Sequence, residues 1–298
     1  MEEILIVGAG PAGISAALYA VRDNMKPIII NDGASALNKA EKIENYYGLE
    51  TSISGPELYE RGLLQAKSLG VEIVEGQVLG INGYDTFTVQ TTVGDYDTLS
   101  VVLATGSKRT TPNIAGIKKL EGKGVSYCAI CDAFFYRNKT VAVIGNSDFA
   151  LHEAEILSHA ASSVTIYTDG KHPDFSRDHS FKVITDKIQS IEGEAGVTGI
   201  KLCHDNTVAS GDEKLYLVDG VFVALGSAGS TAIARQMGAE LTDRGNIKIN
   251  AEMESTIPGI FAAGDCTGGL LQVSKAAYEG AVAGLSAVKY VRNKMKQS

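Results

Sequence analysis

A short apolar run at residues 4–7 leads directly into Gly8-Ala9-Gly10-Pro11-Ala12-Gly13, and no other stretch of the chain restricts the fold as tightly. Behind it, residues 14–21 are alanine-rich and suited to a helix, and a second apolar run, 27–30, ends at Asn31-Asp32-Gly33. Strand, glycine turn, helix and strand in this order make the βαβ unit of a dinucleotide-binding domain. Each glycine has a steric task. Gly8 permits the tight turn, Gly10 lets backbone approach a pyrophosphate, and Gly13 allows the helix to lie close on the strand. The helix N-terminus, entered at Pro11 and Ala12, offers N–H groups and a positive dipole end to the phosphates. Asn31 and Asp32 stand where a polar side chain meets a ribose hydroxyl, and either can serve.

The pattern starts again at Thr140–Ile144, with a turn at 145–150, a helical stretch at 151–160 and a strand at 164–167. Two such starts predict an α/β fold of two Rossmann-like nucleotide-binding domains of the three-layer (ββα) kind. Connections fall near 112–116 and 241–245, which divides the chain into 1–113 with 245–298, and 114–244. The segment 259–265 reads as a buried strand ending in Gly264-Asp265, followed by a long helix of small residues over 273–291. The basic tail, Lys289, Arg292, Lys294 and Lys296, reads as a solvated helix end, where cations suit the macrodipole.

The 298 residues are 44% hydrophobic and 21% charged, which suits two globular domains. A net charge of −8 argues against nucleic acid or an anionic membrane as partner. No apolar run is long enough for a bilayer, and the start Met1-Glu2-Glu3 has no basic leader, so a cytoplasmic location is expected. Four cysteines in such a chain do not make a disulfide scaffold. Two of them, Cys128 and Cys131, form a CxxC that reads as redox-active. Asp132 follows at once and can give or take the proton that thiol–disulfide exchange requires. A helix N-terminus under the pair would lower the thiol pKa. Zinc is the weaker alternative, because Cys203 and Cys266 are isolated. His152, His159, His172, His179 and His204 show no metal spacing, and Cys266 reads as a packing residue.

The stretch from Gly124 to Tyr136, with Tyr127-Cys128-Ala129-Ile130-Cys131-Asp132 at its centre, closely resembles the active-site segment of low-molecular-weight thioredoxin reductases. Further motifs agree in order along nearly the whole chain. They are the glycine motif at 8–13, Glu44-Asn45-Tyr46 before Gly48, Ala104-Thr105-Gly106, and 259–265 followed by Gln272-Val273. The resemblance implies a discontinuous FAD domain from the two chain ends and a central pyridine-nucleotide-like domain carrying the CxxC. It assigns Asn45, Val78, Thr105, Gly106, Asp265, Gln272 and Val273 to FAD, with Asp265 on a ribityl or ribose hydroxyl. Cys131 would face the flavin, Cys128 would attack the thioredoxin substrate, and Asp132 would be the acid/base. Homodimers with a rotating central domain are the rule in this family.

The second glycine motif departs from that pattern. Residues 145–150 read Gly-Asn-Ser-Asp-Phe-Ala, so Ser147 carries a Cβ where pyrophosphate should approach. Thr168-Asp169-Gly170-Lys171 stands where the family holds an arginine cluster for a 2′-phosphate, and a carboxylate there repels a dianion. Lys171, His172 and Arg177 are the neighbouring cations that a rescue would need. In this the chain resembles the ferredoxin-dependent flavin thioredoxin reductases, which implies reduced ferredoxin as electron donor. Basic candidates for docking it are Lys108 with Arg109, Lys118 with Lys119, and the C-terminal tail. An NADH- or NADPH-driven reductase, a non-catalytic flavin module and a flavin oxidase remain the alternatives.

Overall fold

In the computed structural model of the chain, residues 2–33, 35–106, 112–127, 129–203, 214–225 and 229–297 are described, with Lys39, Ile130 and Cys131 described by backbone alone. Strand β1 (Glu2–Val7), helix α1 (Pro11–Arg22) and strand β2 (Pro27–Asn31) realise the expected unit. Helix α2 (Gly55–Ser68), β3 (Glu72–Glu75), β4 (Val78–Gly83), β5 (Phe87–Thr91) and the long β6 (Gly94–Leu103) follow. Next come α3 (Ile117–Leu120), β7 (Val125–Ser126), the single turn α4 (Ala129–Asp132), β8 (Thr140–Ile144), α5 (Asp148–Ser158) and β9 (Ser163–Tyr167). Strands β10 (Lys182–Ile184), β11 (Ile188–Gly193), β12 (Val197–Leu202), β13 (Lys214–Leu217) and β14 (Gly220–Val223) complete the middle of the chain. Helix α6 (Ser230–Gln236), β15 (Ile260–Ala262) and α7 (Val273–Met295) end it.

The chain forms two compact units, Met1–Lys108 with Gly229–Ser298, and Arg109–Ala228. In the first, β3, β2, β1, β6 and β15 run parallel, while β4 and β5 make an antiparallel meander with the first half of β6. Leu5 of β1 faces Val101 of β6, and Val101 faces Ile260 of β15, so the two chain ends share one sheet. Residues 4–6 are fully buried, because a parallel strand is covered on both faces. Helices α1 and α7 pack backbone to backbone. A Cβ on Gly280 would come within 2.1 Å of the Ala12 carbonyl oxygen, and one on Gly284 within 2.4 Å of that of Ala16. The second unit repeats the plan with a parallel sheet in the order β10-β9-β8-β14-β7 and an antiparallel one, β11-β12-β13.

Three expectations change. Residues 229–244, placed with the central domain by sequence, belong to the first unit, where Ser230 and Thr105 bind each other through backbone and hydroxyl groups at 2.7 and 3.0 Å. Helix α5 begins at Asp148, inside the expected turn, with an extended Ser147 at its N-cap position. The tail is not a frayed end: α7 runs to Met295, Arg292 grips Asp23 through both carboxylate oxygens at 3.0 Å, and Lys294 reaches Asp85. No helix among the described residues is long and apolar enough to cross a membrane.

Candidate functional site

In the first unit the glycine motif has the geometry its sterics require. Gly8 lies at φ +104° and donates to the Ile30 carbonyl at 2.9 Å, and a Cβ there would stand 2.7 Å from the Ala104 oxygen. A Cβ on Gly13 would come within 1.8 Å of the Gly8 oxygen. Gly10 differs: it is the N-cap of α1, offers no side-chain cap, and a Cβ on it would meet nothing within 4 Å. The loop is therefore closed on its inner side and open where backbone N–H groups await an anion.

Around this cradle the structure gathers residues far apart in the chain. The Asn45 amide donates to the Gln272 side-chain oxygen at 3.0 Å, beside Val273, the first residue of α7. Thr105, held by Ser230, precedes Gly106 at φ +74°. Val78 is buried in β4, in register with Thr91 of β5. Asn31 is tied inward, accepting from the Gly33 N–H and the Tyr59 hydroxyl, each at 3.1 Å, so Asp32 is the carboxylate at the strand's end. Asp265 follows Gly264, and its carboxyl is held above the usual range by burial, against the pull of Lys275.

The loop that presents Asp265 rests on two side chains that sequence reasoning missed. Lys275 donates to the oxygens of Gly264, Thr267 and Gly268 at 2.8, 2.8 and 2.6 Å. Buried Glu279, one turn along α7, pairs with Lys275 at 2.9 Å and accepts the Gly264 N–H at 2.8 Å. The available signal was a charged residue on the small-residue stripe of Ala276, Gly280 and Ala283. Cys266 is fully enclosed, its thiol donates to Leu103 and Ala263 oxygens, and burial pushes its pKa up to about 12, consistent with packing.

In the second unit Cys128 lies outside the described residues, and Cys131 is placed by backbone on α4 with Asp132, half-buried, at its end. Lys108, Arg109 and His204 also lie outside the described residues. The N–H of Ala129, between the cysteines, donates at 2.7 Å to the carboxyl of Glu153 on α5. Glu153 is 1% exposed, and burial raises its pKa to about 7 although the Ala129 bond opposes the shift. This residue too was missed by sequence, although Ala150, Glu153, Ala154 and Leu157 share one buried helix face. A raised acid binds its proton more firmly in the native state than in the unfolded chain. Glu153 therefore contributes stability that is complete below its unfolded pKa and lost as pH rises through about 7. Denaturant unfolding should show that loss between pH 5 and pH 8, by about 3 kcal/mol at most, and E153Q should flatten it. An unchanged slope in E153Q would assign the titration elsewhere.

The second glycine motif is covered by its own chain. Gly145 keeps its packing role, since a Cβ would meet the Ala224 oxygen at 2.1 Å. At the N-terminus of α5, the 8%-exposed Asp148 accepts from the Ser176 N–H at 2.8 Å and its hydroxyl at 2.6 Å. The Asp174 N–H donates to the Asn146 carbonyl at 2.7 Å, and the Asn146 amide to the His172 carbonyl at 3.1 Å. Residues 172–176 thus lie along the turn and first helical turn. Asp169, at φ +52°, accepts from the Ile188 N–H at 3.0 Å and pairs with Lys187 at 3.2 Å. Arg177 is paired with Glu155 at 3.3 Å, and Lys119 donates to the Gly193 carbonyl.

The sequence pattern of the pyridine nucleotide-disulphide oxidoreductases matches residues 2–280. A thioredoxin reductase of Listeria monocytogenes is 35% identical over 99% of this chain and 95% of its own. Among solved structures, the atypical thioredoxin reductase TRi of Desulfovibrio vulgaris Hildenborough matches at 34% identity, TM-score 0.88, over 98% of this chain and 99% of its own. A ferredoxin-flavin thioredoxin reductase of Clostridium acetobutylicum matches at 32% identity, TM-score 0.68, over 98% of each chain.

Proposed function

The chain belongs to the pyridine nucleotide-disulphide oxidoreductase family as a flavin-dependent disulfide oxidoreductase of thioredoxin reductase type, and we propose that it reduces thioredoxin with electrons taken from ferredoxin. FAD would be held in the first unit, whose residues suit it. The open Gly10 and the α1 N-terminus would receive the pyrophosphate, Asp32 the adenosine ribose, and Asp265 the ribityl chain. Asn45 with Gln272, and Thr105 with Gly106, would line the flavin end. When bound, FAD supplies a centre that accepts single electrons and hands on two. The Cys128–Cys131 disulfide would be reduced by two electrons and two protons, its S–S bond breaking to give two thiols. Asp132 carries a proton to and from the sulfurs. Cys128 then attacks a thioredoxin sulfur as thiolate, and Cys131 resolves the mixed disulfide, leaving thioredoxin as its dithiol.

The choice of donor rests on residues 172–176 and Asp148. A pyridine nucleotide would have to place its pyrophosphate at the N-terminus of α5, where Asp148 already supplies the anion that the helix dipole favours. Entry would break both Ser176 bonds and bring phosphate against a buried carboxylate. Asp169 adds a second carboxylate where a 2′-phosphate would need guanidinium groups. The similarity to the ferredoxin-flavin thioredoxin reductase of Clostridium acetobutylicum supports the same donor here.

The deciding experiment is anaerobic absorbance of the FAD-loaded protein mixed separately with NADPH, NADH and reduced ferredoxin. Reduced ferredoxin alone should bleach the flavin. Bleaching by either nucleotide within seconds at micromolar concentration removes the ferredoxin assignment and leaves an NAD(P)H-dependent reductase. The reading also includes a homodimer and a cytoplasmic location, where thioredoxin cycles. The mass in solution, one chain or two, decides the first of these.

A further inference from the structure

Glu153 has no part in the mechanism above, yet it is the most deeply buried acid among the described residues. It sits on a helix face with Ala150, Ala154 and Leu157, all fully buried and apolar. A carboxyl in such surroundings is costly, and its presence calls for a specific partner. One such partner is the Ala129 N–H at 2.7 Å, in the peptide directly after Cys128 and two residues before Cys131. Thiolates in CxxC turns are stabilised by the N–H groups and the dipole of the turn that carries them. Here the Ala129 N–H, between the two cysteines in the sequence, is taken by a carboxylate, whose charge would oppose a thiolate formed on either of them. Low dielectric around it strengthens that opposition.

Resting on the dithiol function proposed above, we infer that Glu153 is a positioning residue that sets the redox poise of the pair. Its carboxylate takes the Ala129 N–H from inside the core, disfavours a thiolate on the flanking cysteines and keeps the pair a strong reductant. A dithiol pair whose reduced, thiolate form is stabilised is an oxidant, and removing that stabilisation moves it the other way. Asp132 lies beside the pair but is half-exposed, so solvent screens it, whereas Glu153 is enclosed. The raised pKa of Glu153 leaves it charged at pH 8, the condition chosen for the test.

The test equilibrates the holoenzyme, without air, against mixtures of reduced and oxidised dithiothreitol. Dithiothreitol gives two electrons and two protons to the Cys128–Cys131 disulfide and closes its own ring disulfide. Alkylation and peptide mass then read the fraction of the pair present as dithiol. E153Q, which removes the charge at nearly constant shape, should shift the exchange equilibrium toward the dithiol by about tenfold, ~30 mV for two electrons. It should also speed alkylation of the reduced pair several-fold. E153L should shift the equilibrium in the same direction, and as a buried apolar side chain in apolar surroundings it keeps the test open if E153Q folds poorly. A folded variant whose equilibrium stays within twofold of wild type overturns the inference, even if its melting temperature falls. A wild-type protein with no Cys128–Cys131 disulfide that dithiothreitol reduces removes the dithiol mechanism and this inference together. A reversible pair indifferent to both variants removes the inference alone.

Discussion

Cys131→Ser is expected to lower thioredoxin reduction by on the order of a thousandfold or more, while the flavin is still reduced by its donor. No disulfide can form without the second sulfur, so the two flavin electrons have nowhere to go within the protein. The variant has a second, sharper signature. Cys128 can still attack a thioredoxin disulfide, but no thiol remains to resolve the product, so a covalent adduct of the two proteins should accumulate. Cys128→Ser should lose the same activity and form no such adduct. This contrast assigns attack to Cys128 and resolution to Cys131, roles that otherwise rest on resemblance. Steady-state reduction of thioredoxin, with non-reducing electrophoresis of the trapped mixture, reads both. More than a tenth of wild-type activity in either variant would sink the dithiol mechanism. An adduct from Cys128→Ser instead would reverse the roles.

Gly13→Ala carries the other large effect. The added methyl would stand 1.8 Å from the Gly8 carbonyl oxygen, a backbone atom that cannot turn aside. Relief requires moving α1 away from the turn, and α1 also lies against α7 through Gly280 and Gly284. A loss of about 3–5 kcal/mol is expected, from overpacking at a site where neither partner is a flexible side chain. Urea unfolding of the apoprotein measures it. Gly10→Ala is the matched control, since its methyl meets nothing within 4 Å and the backbone there has φ −70°. Stability should change by about 1 kcal/mol or less, but FAD affinity should fall, because the methyl enters the space given to the pyrophosphate. A Gly13→Ala protein as stable as wild type would contradict the loop geometry. Undiminished FAD affinity in Gly10→Ala would move the pyrophosphate elsewhere.

Much of this protein was legible in its residues because the relevant physics is local. The steric demand at Gly13 comes from Gly8, a few residues away, so the strand–turn–helix–strand order and its repeat at Thr140 could be read directly, whereas the demand at Gly8 comes from Ala104 across the fold. Cys128, Cys131 and Asp132 fall within five consecutive residues, and a CxxC followed by an acid needs no fold to be recognised. The departure of the second glycine motif from its pattern was visible at Ser147. The structure adds what the residues did not show: Asp148 bonded to Ser176, and residues 172–176 lying along the turn. That contact joins positions 28 residues apart, and no periodicity encodes it.

The tertiary structure alone decided the supporting contacts. Ser230 reaches Thr105 across 125 positions, Asn45 reaches Gln272 across 227, and Arg292 reaches Asp23 across 269. The last of these ties down a helix end whose Lys289, Arg292 and Lys296 are exposed as read, because charge composition cannot say which carboxylate a chain reversal brings near. Lys275, Glu279 and Glu153 belong to the same class. Each is a charged residue on a buried helix face, which the sequence registers only as an irregularity in an apolar stripe. What makes each acceptable is a partner delivered by another element or by the loop it holds. Sequence determines which groups must find such partners, and packing determines which partners they find, because hydrogen bonds and ion pairs act over ångströms while the chain separating the groups spans hundreds of residues.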